Sequence, residues 1–491
     1  MLLEDRILKK WLLPFILSVL IAVDSMAQCI PVYKDSSMSV ERRVTDLLGR
    51  MTLREKIAQL SHLHGYQLYN GQEVDYQKLR DAAGDISYGC IEGFNLTGEN
   101  VRKAFHAIQK YMVEETRLGI PVFTVTESLH GSVHDGSTIF PQSVAVGSTF
   151  NLDLAYQMTK AIATELRSQG VIQTLSPGLD VVRDLRWGRV EESFGEDPWL
   201  VGQMGIAQVK GYIDGGISPM LKPFGPGGAP LGGLNLASVE SGERDIRNIH
   251  IKPYEMAVRN TEVKAVMTSY NSWNGIPNSA SSYLLTNILR NEWGFKGYVV
   301  SDSEAVEFLH TKHRITPTEE EMAAQVVNAG LNIRTNFTPP QDFILPLRHA
   351  INEGKVSLHT LDQRVSEILR VKFMMGLFDN PYPGDDRRPE TVVHNDAHKA
   401  VSMKAALESV VLLKNENQML PLSKNFKKIA VIGPNAEEVK ELTCRYGPAN
   451  ASIKTVYQGI KEYLPNSEVR YAKGCDIIDK YFPESELYNV P

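Results

Sequence analysis

Cysteine is scarce in this chain, with four residues, Cys29, Cys90, Cys444 and Cys475, among 491. Four scattered cysteines are too few for a disulfide framework, although an oxidising compartment would allow one pair. Cys444 and Cys475 are the better candidates for that pair. The sequence also lacks a Cys or His spacing typical of zinc sites and has no His-Glu-x-x-His stretch. We therefore expect a site that uses no metal ion and no other cofactor.

An excess of positive charge is also missing. The 52 Lys and Arg residues are outnumbered by 58 Asp and Glu residues, which gives a formal net charge of −6 at pH 7. A mildly acidic protein has no general attraction to nucleic-acid phosphates or anionic membranes, so we expect no nucleic-acid partner. The hydrophobic fraction of 43% is ordinary for a folded protein. A chain of this length allows about two or three domains.

The N-terminal apolar stretch at residues 11–23 is short for a membrane span. It covers 13 residues, whereas a transmembrane helix needs about 20. Lys9 and Lys10 precede it, and the small residues Ser25 and Ala27 follow. This order predicts a cleaved signal peptide over residues 1–27, a periplasmic or secreted location, and no stable membrane insertion after cleavage.

Helical and strand-like patterns alternate along the rest of the chain. Thr52 followed by Glu55 is typical of a capping box that opens a helix. Longer amphipathic stretches occur at residues 152–168 and 242–259, and short β-rich runs occur at residues 121–126, 170–176, 263–270, 297–301 and 329–333. This alternation predicts a parallel α/β sheet.

Polar residues occur at or just after the end of these runs, namely Glu127, Asp180, Tyr270 and Asp302. The carboxyl ends of parallel strands meet at one edge of a sheet, so this register predicts one shared pocket. A closed β/α barrel places its chemistry there, and a doubly wound open sheet also binds ligands at that edge. The pattern favours the barrel and leaves the open sheet as an alternative.

A domain boundary is predicted near residues 380–389, which are rich in proline and charge. A helix over residues 358–375 precedes it. A helix over 396–414, a buried strand over 428–433 and a helix around 453–463 follow. We predict a barrel domain at 38–379, a linker at 380–394 and part of an α/β sandwich at 395–491, because that last stretch is shorter than a typical domain of about 100 to 150 residues.

Asp302 is the clearest candidate for chemistry, because a strand delivers its carboxylate to the pocket edge, where it could act as a nucleophile. The alternative is an N-cap for the following helix. Glu127 could accept hydrogen bonds from a polyol, or could be a partner of His130 or of a nearby arginine. Residues 175–198 alternate acids and bases, which fits either a salt-bridged loop or an arginine that binds sugar hydroxyls. Lys222 and Tyr270 are weak candidates when taken singly.

Seven motifs occur in order between about residues 40 and 475. They are Met51-Thr-Leu-Arg-Glu-Lys-Ile, Glu127-Ser-Leu-His-Gly, Phe140-Pro-Gln, Arg186-Trp-Gly-Arg-Val-Glu-Glu, Gly242-Glu-Arg-Asp, Ser269-Tyr-Asn and Trp293-Gly-Phe-Lys-Gly-Tyr-Val-Val-Ser-Asp. With these motifs the chain resembles glycoside hydrolase family 3, the retaining exo-acting β-glycosidases. The resemblance implies a (β/α)8 TIM-like barrel followed by an α/β sandwich that is incomplete in this chain.

The resemblance also implies roles for individual residues. Asp302 takes the place of the catalytic nucleophile, and Glu127, Arg189, Lys222 and Tyr270 fall among the residues that line the sugar subsite. The family's proton donor usually comes from a sandwich-domain loop beyond the segment present here, so we assign no residue to that role. The expected partner is an oligosaccharide or a β-glycoside.

Departures from the family pattern at four positions concern activity. Pro223 and Gly227 stand where the family usually has histidines, which removes at least one sugar contact. Ser303 replaces a frequent Trp, and Glu127 is longer than the Asp more usual in glucosidases. We predict a β-glucosidase, with a β-xylosidase as one alternative and a truncated sugar-binding protein with little or no catalysis as another.

Overall fold

The computed structural model describes residues 30–93, 96, 98–382, 384, 388–448 and 452–476. The predicted signal peptide at residues 1–27 lies outside the described residues. Seven parallel strands form the main sheet: β1 (His62–His64), β2 (Cys90–Glu92), β3 (Phe123–Thr126), β4 (Gln173–Thr174), β5 (Ser218–Phe224), β6 (Ala265–Thr268) and β7 (Tyr298–Ser301). They pair in chain order, as expected where helices connect successive parallel strands.

Ile333 and Arg334 close this sheet into a barrel. Ile333 forms a parallel bridge to Val300 of β7, and Arg334 forms one to Ser61, directly before β1. The Arg334 N–H donates to Leu60 O at 3.0 Å, and the Ser301 N–H donates to Ile333 O at 2.9 Å. The fold is therefore a TIM-like α/β barrel, and the open-sheet alternative is wrong.

Helices surround this barrel and continue into the C-terminal part. The α-helices are Val40–Arg50, Leu53–Gln59, Tyr76–Ala83, Gly98–Lys110, Ser143–Ser148, Leu152–Ser168, Pro198–Asp214, Glu243–Asp245, Lys252–Asn260, Phe308–Thr311, Glu319–Ala329, Gln341–Asn352, Leu358–Met374, Pro389–Val392, Asp396–Glu408, Lys440–Thr443 and Val456–Tyr463. Wider π-helical turns occur at Tyr111–Glu115, Ile246–His250 and Tyr283–Glu292. Within the described residues, we find no helix whose length and apolar character would allow it to cross a bilayer.

Several predicted elements are confirmed with small changes of boundary. Thr52 and Glu55 form the predicted capping box, and the helix Leu152–Ser168 has the predicted bounds. The strand predicted at 329–333 is displaced, because the helix Glu319–Ala329 includes its first residue and the parallel bridges lie at Ile333 and Arg334. Gly330, with φ of 125°, then turns the chain, and its N–H bonds back to Val326 O at 3.2 Å.

The predicted single helix at 242–259 is wrong. The chain instead forms the short helix Glu243–Asp245, the π-helical turn Ile246–His250 and the helix Lys252–Asn260. Pro253 lies in the first turn of the last helix. Because proline has no N–H and clashes with the preceding turn, it starts a helix more readily than it continues one.

The C-terminal part contains a small parallel sheet of β8 (Lys428–Ile432) and β9 (Glu468–Ala472), with the helix Val456–Tyr463 between them in sequence. No residue of either strand is buried. The preceding helix ends at Glu408 and not at residue 414, and residues 410–413 are exposed. Cys444 and Cys475 are not joined, since Cys444 Sγ faces Glu191 Oε1 at 3.3 Å.

Arg43, in the helix Val40–Arg50, connects that helix to Asp379, which follows the helix Leu358–Met374. Its guanidinium donates to both carboxylate oxygens of Asp379, at 3.0 and 2.7 Å, and to Tyr33 O at 2.9 Å. The group also lies 4.6 Å from the centre of the Phe373 ring. Arg43 is only 3% exposed, whereas the Asp379 side chain is 41% exposed, so the arginine side of these bonds lies away from water.

We expect Arg43→Leu to lower the free energy of unfolding by about 1.5 to 3 kcal/mol, the usual contribution of hydrogen bonds to charged groups. Urea denaturation followed by circular dichroism measures this change. Arg42→Leu makes the same substitution at the exposed neighbouring position and should change the value by less than about 0.5 kcal/mol. Equal losses in the two variants would contradict the role of the Arg43 contacts.

Candidate functional site

A cavity of about 610 Å³ opens at the carboxyl ends of the barrel strands. Its walls come from the ends of six strands and from the C-terminal part of the chain. The lining residues are His64, Tyr66, Glu92, Gly93, Thr126, Glu127, Val133, Asp135, Leu175, Leu236, Met267, Tyr270, Asp302, Ser303, Glu304, Phe308, Lys312, Phe337, Arg445, Tyr446 and Gly447. Its volume falls in the range of small-molecule sites, which span about 300 to 1,000 Å³.

Glu127 and Lys222 form a largely buried ion pair at this cavity. Lys222 lies on β5 and is 2% exposed, and its Nζ donates to Glu127 Oε1 at 2.6 Å and to Oε2 at 2.7 Å. Burial raises the pKa of Glu127 to about 7, while the charge and hydrogen bonds of Lys222 lower it. Because both carboxylate oxygens contact Nζ, we describe the pair as ionic. The partner of Glu127 is thus Lys222, and not His130 or an arginine.

Asp302 directly follows β7, and its side chain lines the cavity. Its Oδ1 accepts a hydrogen bond from the Ser303 N–H at 2.9 Å. The following helix, Phe308–Thr311, has Glu307 at its N-cap, so the alternative role of Asp302 as that cap is wrong. Burial raises the pKa of Tyr270, and the charge of Asp302 and a hydrogen bond to it raise that pKa further. The Tyr270 hydroxyl and the Asp302 carboxylate therefore lie together in the cavity wall.

Arg189 is placed differently from the other predicted site residues. It is not among the residues that line the cavity, and its guanidinium binds both carboxylate oxygens of Glu192, at 2.8 and 2.7 Å. The exposed Arg186 pairs with Asp184 in the same loop. The structure therefore brings Glu127, Tyr270 and Asp302 together at the cavity with Lys222 behind Glu127, and it holds Arg189 in a salt-bridged loop.

The loop after β5 explains how glycine fits at position 227. A Cβ atom placed on Gly227 would lie 2.1 Å from Asp180 Oδ1, so a larger side chain would require one of the two segments to move. Asp180 is 6% exposed, and its Oδ1 has no hydrogen-bond partner among the described residues. Burial raises its pKa to about 8, against the charge of Arg189. At position 223, the Pro223 carbonyl oxygen accepts a hydrogen bond from the Tyr254 hydroxyl at 2.7 Å.

Two groups at the cavity were missed by the sequence analysis. Glu92 ends β2, but the short Gly-Cys-Ile-Glu run gave no clear strand signal. Tyr446 comes from the C-terminal part, and the Lys222 Nζ lies 4.6 Å from the centre of its ring, within cation–π range. No local pattern links Tyr446 to a lysine more than 200 positions earlier, so only the fold could show this contact.

Comparisons with known proteins agree on one family. The model of the glycosyl hydrolase family 3 N-terminal domain matches residues 52–371, and that of the family 3 C-terminal domain matches residues 410–485. A putative beta-xylosidase from Formosa agariphila is 35% identical over 82% of this chain and 54% of its own length. A periplasmic beta-glucosidase from Salmonella typhimurium is 34% identical over 88% of this chain and 56% of its own length.

Solved structures give the same result. A β-glucosidase from Erythrobacter marinus superposes with a TM-score of 0.83 and 32% identity, covering 92% of this chain and 60% of that one. A beta-glucosidase from Listeria innocua superposes with a TM-score of 0.79 and 29% identity, covering 90% of this chain and 62% of that one. The chain spans about half the length of the curated relatives it matches.

We expect Lys222→Met to lower the free energy of unfolding by about 3 to 5 kcal/mol, because it leaves the Glu127 carboxylate buried without its partner. The double variant Lys222→Met/Glu127→Leu should regain much of this loss, since neither charge is then left unpaired. Urea denaturation of Lys222→Met, Glu127→Leu, the double variant and the unchanged protein closes the cycle. A double variant that is as unstable as the sum of the two single variants would contradict the ion pair.

Proposed function

Because the chain belongs to glycoside hydrolase family 3, we propose that it hydrolyses terminal β-D-glucosyl residues from oligosaccharides or glycosides, with Asp302 as the nucleophile. The observation that supports this most directly is the position of Asp302, at the end of β7 and in the wall of a cavity of about 610 Å³. The Tyr270 hydroxyl and the Ser303 N–H bond to the Asp302 carboxylate and would hold it in place.

The proposed reaction is a double displacement with retention. An oxygen of Asp302 attacks the anomeric carbon, the bond to the leaving oxygen breaks, and that oxygen takes a proton from a second carboxylic acid. Water then attacks the anomeric carbon of the glycosyl ester, its proton passes to the second carboxylate, and the Asp302 carboxylate is released. Glu127 would accept hydrogen bonds from sugar hydroxyls, with Lys222 keeping it ionised. Arg189 does not line the cavity, so we propose no contact between it and the sugar. It would act by holding Glu192 in position and by contributing positive charge near the site.

Two alternatives have their own support. A β-xylosidase fits the relatives with that name and the longer Glu127 side chain. A sugar-binding protein with little catalysis fits the absence of histidine side chains at Pro223 and Gly227.

We also propose a periplasmic or secreted location, supported by the apolar N-terminal stretch and by the relative named as periplasmic.

The C-terminal part of the chain is proposed to belong to a larger α/β sandwich domain. Its sheet has no buried residue on either strand. Large apolar side chains of this part are exposed, including Leu413 at 90% and Ile432 at 68%. Apolar surface of this extent normally packs against another element.

We expect Asp302→Asn to lower kcat on an aryl β-glucoside by about a thousandfold or more, because the amide cannot form the glycosyl ester. A spectrophotometric assay measures the turnover. Asp153→Asn, in the exposed first turn of the helix Leu152–Ser168, is the control and should leave kcat unchanged. A 2-fluoro glycoside should label Asp302 in the unchanged protein, and a label on another residue would contradict its assignment.

We expect the unchanged protein to turn over an aryl β-glucoside faster than an aryl β-xyloside, measured as kcat/KM for the two substrates. The reverse order would favour the β-xylosidase. Sugar binding in a calorimeter without turnover of either substrate would favour the sugar-binding alternative.

A further inference from the structure

Glu92 is a further carboxyl group at the cavity, and the reaction proposed above does not use it. It is the last residue of β2, its side chain is 19% exposed, and it lines the same cavity as Glu127 and Asp302. Its Cα pairs with Val125, two residues before Glu127 on the neighbouring strand. Side chains two residues apart on a strand point the same way, so Glu92 lies one layer deeper than Glu127 on the same face.

Lys222, Arg189 and Arg334 are engaged by other carboxylates. Lys312 and Arg445 also line the cavity, and neither forms a salt bridge with Glu92 in the described part of the chain. Lys222 donates to both oxygens of Glu127, and Arg189 donates to both oxygens of Glu192. Arg334 is paired with Glu307. Within the described residues, Glu92 has no Lys or Arg at salt-bridge distance. A carboxylate in this position would be a largely buried charge without a cationic partner, which is unfavourable.

The two histidines beside Glu92 supply no positive charge either. His62 Nε2 lies 3.7 Å from Glu92 Oε2, too far for a hydrogen bond, and burial lowers the pKa of His62 to about 3. Burial likewise lowers the pKa of His64 to about 4. Burial raises the pKa of Glu92 itself to about 8, and the charges of Glu127 and Asp302 raise it while that of Lys222 lowers it. Tyr66, another ionisable group that lines the cavity, is neutral, since burial raises its pKa to about 12.

We propose that Glu92 is a further ligand-binding residue of this cavity, whose carboxyl O–H donates a hydrogen bond to a hydroxyl group of the sugar ring held beside Asp302. This inference rests on the proposed function and adds a residue to that site. An uncharged carboxylic acid can donate one hydrogen bond, whereas a carboxylate can only accept. Glu92 would therefore donate a hydrogen bond to the oxygen of a sugar hydroxyl, whereas the ionised Glu127 would accept a hydrogen bond from a sugar O–H.

The test compares the binding of D-glucose and of D-xylose by isothermal titration calorimetry. The titrations are made at pH 6.5, where we expect the Glu92 carboxyl group to be uncharged. Glu92→Gln keeps a neutral side chain with a donor and should bind within about threefold of the unchanged protein. Glu92→Leu keeps the approximate volume without a donor and should bind about tenfold more weakly. Glu73→Leu makes the same change at an exposed position outside the cavity and should have no effect.

A second measurement repeats the titration between about pH 7 and pH 9, on either side of the raised carboxyl pKa. The affinity of the unchanged protein should fall as Glu92 loses its proton, and Glu92→Gln should lack that part of the fall. The other titratable groups of the cavity are the same in both proteins, so the difference between the two pH profiles reports on Glu92. This comparison decides the proposal if Glu92→Leu does not fold.

Each result leads to a distinct conclusion. Unchanged affinity in Glu92→Leu, or the same fall with pH in Glu92→Gln, overturns the role of Glu92 and leaves the proposed function standing. If the unchanged protein binds neither sugar, the proposed function fails and the role of Glu92 fails with it. Weaker binding by Glu92→Leu together with a flatter pH profile in Glu92→Gln supports the proposal.

Discussion

The removal of carboxyl groups from water at the mouth of a closed barrel is the constraint on which this site depends. A buried carboxylate is unfavourable unless a cation or several donors compensate for its lost hydration. Here Lys222 compensates Glu127 and Arg189 compensates Glu192, each through two short hydrogen bonds. Asp302 keeps a backbone N–H and the Tyr270 hydroxyl as its partners. The carboxyl groups at the cavity therefore differ in charge and in hydrogen-bonding capacity because their partners differ.

Barrel closure is what places these groups around one space. Ile333 and Arg334 bridge β7 to β1 without forming a full strand, so the polar residues that follow each strand converge on one cavity. The C-terminal part then contributes Tyr446, whose ring lies over the Lys222 ammonium group. That contact couples the C-terminal part to the ion pair, because an aromatic face stabilises a cation that has left water.

Individual residues show which parts of the site and the fold could be predicted from the sequence. Asp302 and Glu127 were identified because each follows a recognisable β-rich run, and the structure places both side chains at the cavity. Glu92 was missed because its strand is three residues long and its neighbours lack a clear period. The strand expected at 329–333 is displaced towards Ile333 and Arg334 because Gly330 ends a helix inside that range. The helix expected at 242–259 was wrong, since Pro253 starts a helix inside it. Local propensity did not show where these helices begin and end.

The sequence by itself determined the class of the fold, the alternation of helices and strands, and the carboxyl groups available for chemistry. These follow from short-range patterns, namely hydrophobic period, capping residues and the position of acids after strands. Tertiary structure alone decided which acid pairs with which base, why Gly227 fits against Asp180, and which carboxyl groups lie away from water. Charge and hydration at a buried site depend on atoms brought together from distant parts of the chain, and a linear pattern does not contain those distances.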